Sequence, residues 1–399
     1  MKLVRTAFAV AFLAAISVFC AGLVPRLPFL AVAHSLPRLR MARRLVLSAV
    51  RSCMPLDLAF VELNGGACRL AGRRLCNQRI LCENDVVCEA RKYDPCDPCT
   101  VDCAYVRQLN RCCMAMGVPF VVVIAPSKVD SDMAMFPRGW DSGDNRNKWA
   151  HARCEEFKEE GIETVDLTSC FTATADDVRR NFFRTDHHWN VPTAFKAAHI
   201  TANVLSKVLS EPLLMDHPNL NSQNWEWRVL KDSFVGSHGR RTGEWFSGCD
   251  DFVYPVPLFE THIARKLFRT GVVWEGPFEE SVLTKSVISG TSKEDRYSIV
   301  GGGDDEWKRL QSLGKDRRML FKNFMAPSDK RVFISRDSFG VPFSAFMSTL
   351  FKELLVNDPR NMPRGVVEEQ LIADFKPDLV VRIIYADSLI GKKSQSPIK

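Results

Sequence analysis

The chain has 399 residues, 46% of them hydrophobic, enough apolar mass to pack one large domain or two modest ones and too much for a disordered chain. Its formal charge of +7 comes from interspersed Lys and Arg without long basic runs, which excludes a nucleic-acid groove and leaves only a weak preference for anionic surfaces or polymers.

Met1-Lys2-Leu3-Val4-Arg5 precedes an uncharged apolar run from Thr6 to Pro25. A run of about 20 residues is long for a signal-peptide core and long enough to cross a bilayer, so residues 1–33 read as an export segment. It is either an uncleaved membrane anchor or a signal peptide cut after Ala31-Val32-Ala33. Arg38, Arg40, Arg43 and Arg44 beyond it run against the preference of positive charge for the cytoplasmic side, which leaves cleavage or a reversed anchor open. Residues 34–57 then form a basic, amphipathic stalk.

Fourteen cysteines suit an exported, oxidised protein, and most crowd into residues 67–113: Cys68, Cys76, Cys82, Cys88, Cys96, Cys99, Cys103, Cys112 and Cys113. Disulfides are the simpler expectation. Cys96-x2-Cys99-x3-Cys103 could hold zinc, but no histidine lies near it and a second ligand pair is poorly defined. Setting aside Cys20 in the apolar run leaves an odd thirteen, so at least one thiol has no intramolecular partner.

Leu58-Ala59-Phe60-Val61-Glu62, closed by Asn64-Gly65-Gly66, predicts a short strand and turn at the start of a domain spanning 58–390. A helix over 105–117 ends at Gly117, and the apolar run 118–124 follows as a buried parallel strand. The pattern repeats with a charged helix over 147–160, Gly161 and a strand over 162–167. Val191-Pro192 opens a helix to Leu209 with apolar residues at helical spacing. Residues 216–323, with aromatics, glycines and runs such as 252–256, predict an inserted β-rich subregion. Strand 331–335, helix 341–350, strand 352–356, helix 366–374 and strand 379–384 complete the chain. The sum is an α/β protein with a helix-flanked parallel sheet, in which ligands bind outside the carboxyl ends of the strands.

Two segments carry chemistry. Phe183-Arg184-Thr185-Asp186-His187-His188-Trp189-Asn190 sets an acid two residues before a histidine, and Arg336-Asp337-Ser338-Phe339-Gly340 places a serine on a strand-to-helix turn. A serine hydroxyl needs an imidazole to take its proton, and a carboxylate to fix that imidazole's tautomer. Asp186, His188 and Ser338 are the candidates, although the local chemistry alone does not separate His188 from His187 as the base. Ser338 would also serve as a helix N-cap, and Asp186 as a cap for the helix after it. Zinc at His187 and His188 is disfavoured because adjacent histidines should splay to opposite sides with no third ligand evident, so no metal or cofactor is expected. Trp189 fits a packing role.

Asp186-His187-His188-Trp189 resembles the signature of the DHHW proteins and of the related alginate O-acetylation proteins of the SGNH-hydrolase-like superfamily. Further segments match that family in order: Val123-Ile124-Ala125-Pro126-Ser127-Lys128, Asp232-Ser233-Phe234-Val235-Gly236-Ser237, Asp295-Arg296-Tyr297-Ser298 before Gly301-Gly302-Gly303, Asp337-Ser338-Phe339, and Asp358-Pro359-Arg360. The resemblance implies an SGNH-like sheet in which Ser338 is the nucleophile, His188 the general base and Asp186 its orienting partner. Backbone N–H groups near Ser338 and Phe339 would hold the oxyanion, and Lys128, Tyr297 and Arg360 would contact substrate. It further implies an extracytoplasmic O-acetyltransferase whose partners are a polysaccharide acceptor and a membrane protein that supplies acetyl groups. An acetylesterase of the same fold and a non-catalytic surface protein with a degenerate site are the alternatives. The chain departs from the family at Asp304-Asp305, where an asparagine is common, and at Arg336, where hydrolase relatives often carry glycine and where the larger side chain is expected to crowd the approach to the serine turn.

Overall fold

The computed structural model describes residues 56–90, 101–129, 135–137, 140, 146–283 and 316–390. The expected export segment, most of the stalk, Cys96, Cys99, Tyr297 and Asp304 lie outside the described residues. Among those described, no helix is long and apolar enough to cross a membrane.

Three short strands, β1 (Leu75–Cys76), β2 (Arg79–Leu81) and β3 (Val87–Glu89), make a small antiparallel sheet. The main sheet is built from β4 (Phe120–Ala125) and β5 (Glu163–Asp166), joined by strands from the second half of the chain. Between them, β6 (Trp225–Phe234) and β7 (Asp250–Pro257) pair only with each other. The remaining strands are β8 (Ile263–Leu267), β9 (Val273–Gly276), β10 (Met319–Asn323), β11 (Ser328–Arg336), β12 (Phe351–Asn357) and β13 (Leu379–Tyr385). Their order in the eight-stranded sheet is β5-β4-β13-β11-β12-β10-β8-β9. The first five are parallel and the last three extend the edge antiparallel. The expected β-rich subregion 216–323 is thus divided between a separate two-stranded ribbon and an edge of the main sheet.

Every residue of β4 is buried, and successive residues enter different cores. Val121, Val123 and Ala125 pack with Ala194, Phe195 and Ala198 of helix Val191–Val208 and with Phe343 and Met347 of helix Gly340–Met347. Phe120, Val122 and Ile124 pack with helices Val101–Ala115, Arg146–Glu159 and Glu368–Phe375 through Val106, Phe157 and Ile372. Both sheet faces are covered, so the strand sequence is a continuous apolar run rather than an alternation. Asn190 caps the 191–208 helix by accepting from Thr193 N, with Pro192 in its first turn.

The segment 58–62 does not form the expected strand. It lies inside helix Leu56–Leu70, which runs straight through Gly65 and Gly66. These glycines serve packing rather than a turn: a Cβ on Gly65 would sit 1.9 Å from Thr242 O, and one on Gly66 2.6 Å from the Trp245 ring. The helix therefore lies nearly backbone to backbone against the short helices Gly239–Thr242 and Glu244–Ser247. Gly→Ala in a helix interior normally stabilises by about 0.5–1 kcal/mol. Gly65→Ala is expected to do the reverse, destabilising by roughly 1–3 kcal/mol through overpacking, read as a lower denaturant midpoint with unchanged slope.

Candidate active site

The serine turn follows directly from β11. Ser338 is half-buried between Arg336 at the strand end and Gly340 at the helix start. Gly340 is required there, because a Cβ would meet Arg336 Cβ at 2.5 Å and Ile383 Cγ2 at 2.6 Å. Asp337 fixes the turn from both sides: Oδ1 accepts from Phe339 N at 2.8 Å, and Oδ2 accepts from Tyr385 N at the end of β13 at 2.6 Å.

Across 150 residues of chain, His188 Nε2 lies 2.7 Å from Ser338 Oγ, and His188 Nδ1 lies 3.1 Å from Asp186 Oδ1. The three candidates therefore form one hydrogen-bonded line. Asp186 is 3% exposed. Burial alone would raise its pKa, but contacts with His188 and His187 hold the carboxyl well below the usual range. It is ionised where a base has to be oriented. Trp189 braces the same loop from below: it is buried, its ring lies edge-on to Phe339, and Nε1 donates to Phe339 O at 3.2 Å.

The loop carrying Asp186 is clamped on three sides. Lys128, just beyond β4, is 2% exposed, and its Nζ faces the carbonyl oxygens of Val87 (3.0 Å), Phe183 (2.8 Å), Arg184 (3.0 Å) and Asp186 (2.7 Å). Asp250 at the start of β7 accepts from Arg184 N, Thr185 N and Thr185 Oγ1. Ser237 donates through Oγ to Asp186 Oδ1 at 2.8 Å and through N to Oδ2 at 3.2 Å. Gly236 makes that approach feasible, since a Cβ there would lie 2.3 Å from Asp186 Cβ. The Phe-x-Gly-Ser pattern thus carried a signal for Ser237, whose side chain sequence reasoning did not place in the site.

Four expectations change. Lys128 is sealed beneath the loop with its ammonium taken up by backbone, so it does not face a substrate. Phe339 N–H is committed to Asp337, so it does not serve an oxyanion; Ser338 N–H meets no acceptor among the described residues and is the donor the turn offers. The two histidines do not splay: their ring centroids lie 3.8 Å apart with the planes tilted by 39°, and both Nδ1 atoms face Asp186 Oδ1, His187 at 2.8 Å. Asp186, His187 and His188 accordingly lie close enough to surround a cation, although the same atoms are already engaged in the hydrogen bonds above. Arg336 does not crowd the serine. It is buried, with Nη1 donating to Asp337 O and paired at 3.8 Å with Asp358, and burial lowers its pKa to about 10. Arg360, half-exposed, forms a two-point pair with the same Asp358, Nε to Oδ1 at 2.8 Å and Nη2 to Oδ2 at 2.9 Å.

Residues 94–229 match the family model of the SGNH hydrolase-like domain of the acetyltransferase AlgX, a stretch that includes Lys128 and the Asp186–Trp189 loop but stops short of Ser338. The chain has the SGNH hydrolase-like fold. A DHHW family protein from Eubacterium siraeum superposes with a TM-score of 0.56 at 17% identity, covering 80% of this chain and 94% of that one. PatB1 of Bacillus cereus, solved with a sulfonyl adduct, gives 0.57 at 16% identity over 79% and 97%. No curated protein matches the chain by sequence. Within this SGNH hydrolase-like fold the serine turn, the loop of Asp186 and the end of β13 meet at the carboxyl edge of parallel strands, where such sheets place their ligands.

Two outcomes follow from the charges under the loop. His238 Nδ1 accepts from Arg79 Nε at 2.9 Å, and burial, reinforced by Lys128 and Arg79, holds its pKa well below the ordinary value. The unfolded chain takes up that proton near pH ~6.5 and the folded chain does not, so stability is complete above that value and falls as the pH drops, by up to about 1.4 kcal/mol per unit. Denaturation midpoints taken at about pH 7 and about pH 5 should differ in that sense, and His238→Gln should flatten the difference. Lys128→Met strands buried carbonyls and is expected to cost at least about 3 kcal/mol in the same measurement.

Proposed function

We propose that this protein is an extracytoplasmic O-acetyltransferase that modifies a polysaccharide through an acetyl-enzyme on Ser338. The observation that carries the reading is the unbroken line from Ser338 Oγ through His188 to the buried carboxylate of Asp186. Likeness to the AlgX acetyltransferase domain favours acetyl transfer over other acyl chemistry.

In the first half-reaction Ser338 Oγ attacks the carbonyl carbon of an acetyl ester or thioester while His188 Nε2 takes its proton. The oxyanion is stabilised by Ser338 N–H, and the intermediate collapses by expelling the donor's oxygen or sulfur, which leaves with the proton held by His188. In the second half a sugar hydroxyl loses its proton to His188, its oxygen attacks the acetyl carbon, and the proton returns to Ser338 Oγ. Asp186 stays ionised throughout and keeps His188 Nδ1 as the protonated nitrogen.

A membrane partner supplying acetyl groups, an anchor in the apolar run 6–25 and a place outside the cytoplasm belong to the same reading, as does Arg360 as a contact for substrate. An oxidising compartment also suits the adjacent thiols of Cys68 and Cys76, which lie within hydrogen-bond reach of one another. A disulfide-bonded thiol carrier could oxidise them, taking up both hydrogens.

An aryl acetate and a sulfonyl fluoride test the proposal on the purified protein. The sulfonyl reagent should modify Ser338, and Ser338→Ala and His188→Ala should each lower kcat/KM for the ester by about a thousandfold or more. Asp186→Asn should lose about 10⁴-fold in kcat. Acceleration of acetyl release by an added oligosaccharide identifies transfer. Release indifferent to saccharide identifies an esterase, and an unlabelled serine leaves a scaffold without catalysis.

A further inference from the structure

The peptide that joins Asp337 to Ser338 is held by its oxygen. Asp337 O accepts from Arg336 Nη1 at 3.1 Å and from Gly340 N at 3.3 Å. The bond is trans, so its carbonyl and its N–H lie on opposite sides of one rigid plane, and fixing the oxygen fixes where Ser338 N–H points. Arg336 is 4% exposed, and its side chain runs beneath the helix start, where a Cβ on Gly340 would meet Arg336 Cδ at 2.9 Å. Its counter-ion is engaged more closely by others: Asp358 accepts from Arg360 Nε and Nη2 at 2.8 and 2.9 Å and from Asn361 Nδ2 at 3.0 Å, and stands 3.8 Å from Arg336. The guanidinium turns Nη1 to the backbone, while its Nε is buried without an acceptor among the described residues. A buried cation with an unmet donor is costly, and ending a strand does not require one.

We propose that Arg336 is a positioning residue that aims and strengthens Ser338 N–H as the donor to the oxyanion. The role rests on the acyl-transfer reading, because the oxyanion forms only in that reaction. A hydrogen bond from a cation to an amide carbonyl draws electron density toward the oxygen and leaves the N–H of the same amide more positive. Phe339 N–H is spent on Asp337 Oδ1, whereas Ser338 N–H meets no acceptor among the described residues. A turn that offers one backbone donor depends more on the strength of that donor than a turn that offers two. Burial lowers the Arg336 pKa to about 10, which leaves the group charged at neutral pH. The guanidinium sits on the carbonyl side of the amide, away from the reacting carbon, so it acts through the peptide and not by touching substrate. The ester carbonyl is neutral and the tetrahedral intermediate carries a full negative charge on its oxygen, so the gain falls on the transition state and leaves binding of the ester nearly unchanged.

The test uses the full-length chain with an aryl acetate as substrate, and labelling of Ser338 to completion by a sulfonyl fluoride counts the folded sites. Arg336→Met removes the charge and the donor at similar side-chain length, and Arg336→Lys keeps the charge. Per labelled serine, Arg336→Met should lower kcat/KM by about tenfold or more, and Arg336→Lys should lose less. Phenylboronic acid, which forms an anionic tetrahedral adduct on a serine oxygen, should lose affinity by the same factor as kcat/KM, whereas an aryl acetamide that mimics the bound ester should bind within about twofold of the unaltered chain. A purely structural residue would lower the number of labelled sites without moving the boronate constant of those that remain. Boronate affinity unmoved in whichever variant still labels overturns the proposal, and loss of labelling in both variants assigns Arg336 to folding and overturns it too. The unaltered chain separates the two ideas: a chain that labels and turns over, with variants of undiminished kcat/KM, removes the role of Arg336 alone, and a chain that neither labels nor hydrolyses the ester removes the acyl transfer and this role with it.

Discussion

One buried ammonium decides where the Asp186 loop lies. Removing a lysine head group from water costs several kcal/mol even after relaxation. Each hydrogen bond from such a charge returns roughly 1.5–3 kcal/mol, so three protons shared among four carbonyls offset the cost only if all are engaged. Three of the four carbonyls come from the loop Phe183–Asp186 and the fourth from β3. Burial draws the Lys128 pKa down, and Cys88, Asp250 and Asp186 around it push back. The loop cannot drift without leaving that charge unsatisfied, which makes its position a condition of the fold rather than a preference of the loop.

The rest of the site is arranged around this anchor by opposed polarity. Carbonyls of the loop point down to Lys128, while its N–H groups at Arg184 and Thr185 point to Asp250. The Asp186 side chain is left to face His187 N, Ser237 and His188 on the remaining side. A carboxylate with that many donors is held charged well below the usual carboxylate range, and it favours the tautomer in which His188 Nδ1 carries the proton. Three remote parts of the chain, β4, β7 and the turn after β6, therefore converge on one short loop, and the small β1–β3 sheet is tied in through Val87.

Much of this was legible beforehand, for reasons that differ between elements. The parallel strands were readable because a sheet covered on both faces writes itself as continuous apolar runs, as at 120–125 and 379–385. Asp186, His188 and Ser338 were readable through the ordered run of family motifs, because locally a capping acid and a capping serine fit the same residues and His187 would serve as well as His188. The helix 56–70 was not, because Asn64-Gly65-Gly66 is turn chemistry locally and only the approach of Thr242 and Trp245 shows that small residues were needed for contact. The role of Lys128 was hidden for a similar reason: nothing in the local sequence says that a lysine after a strand will be buried. The shared side of the two histidines escaped because a carboxylate within two residues pulls both Nδ1 atoms to one side, against the alternation that extended neighbours follow.

The commitment of Phe339 N–H to Asp337 bears on how the proposed acyl transfer would be shared out at the serine turn. Losing one oxyanion donor typically costs about 10²–10³ in rate. Misplacing the reacting atoms by about 1 Å costs about 10². The two penalties are comparable, so a turn that spends an N–H on its own rigidity gives up little if the hydroxyl is thereby held in line. Asp337 does that by joining Phe339 N to Tyr385 N, which locks the serine turn to the end of β13, while Trp189 Nε1 holds Phe339 O to the imidazole's own loop. Ser338 Oγ and His188 Nε2 then belong to one braced unit, and the 2.7 Å between them is set by the scaffold before any substrate arrives.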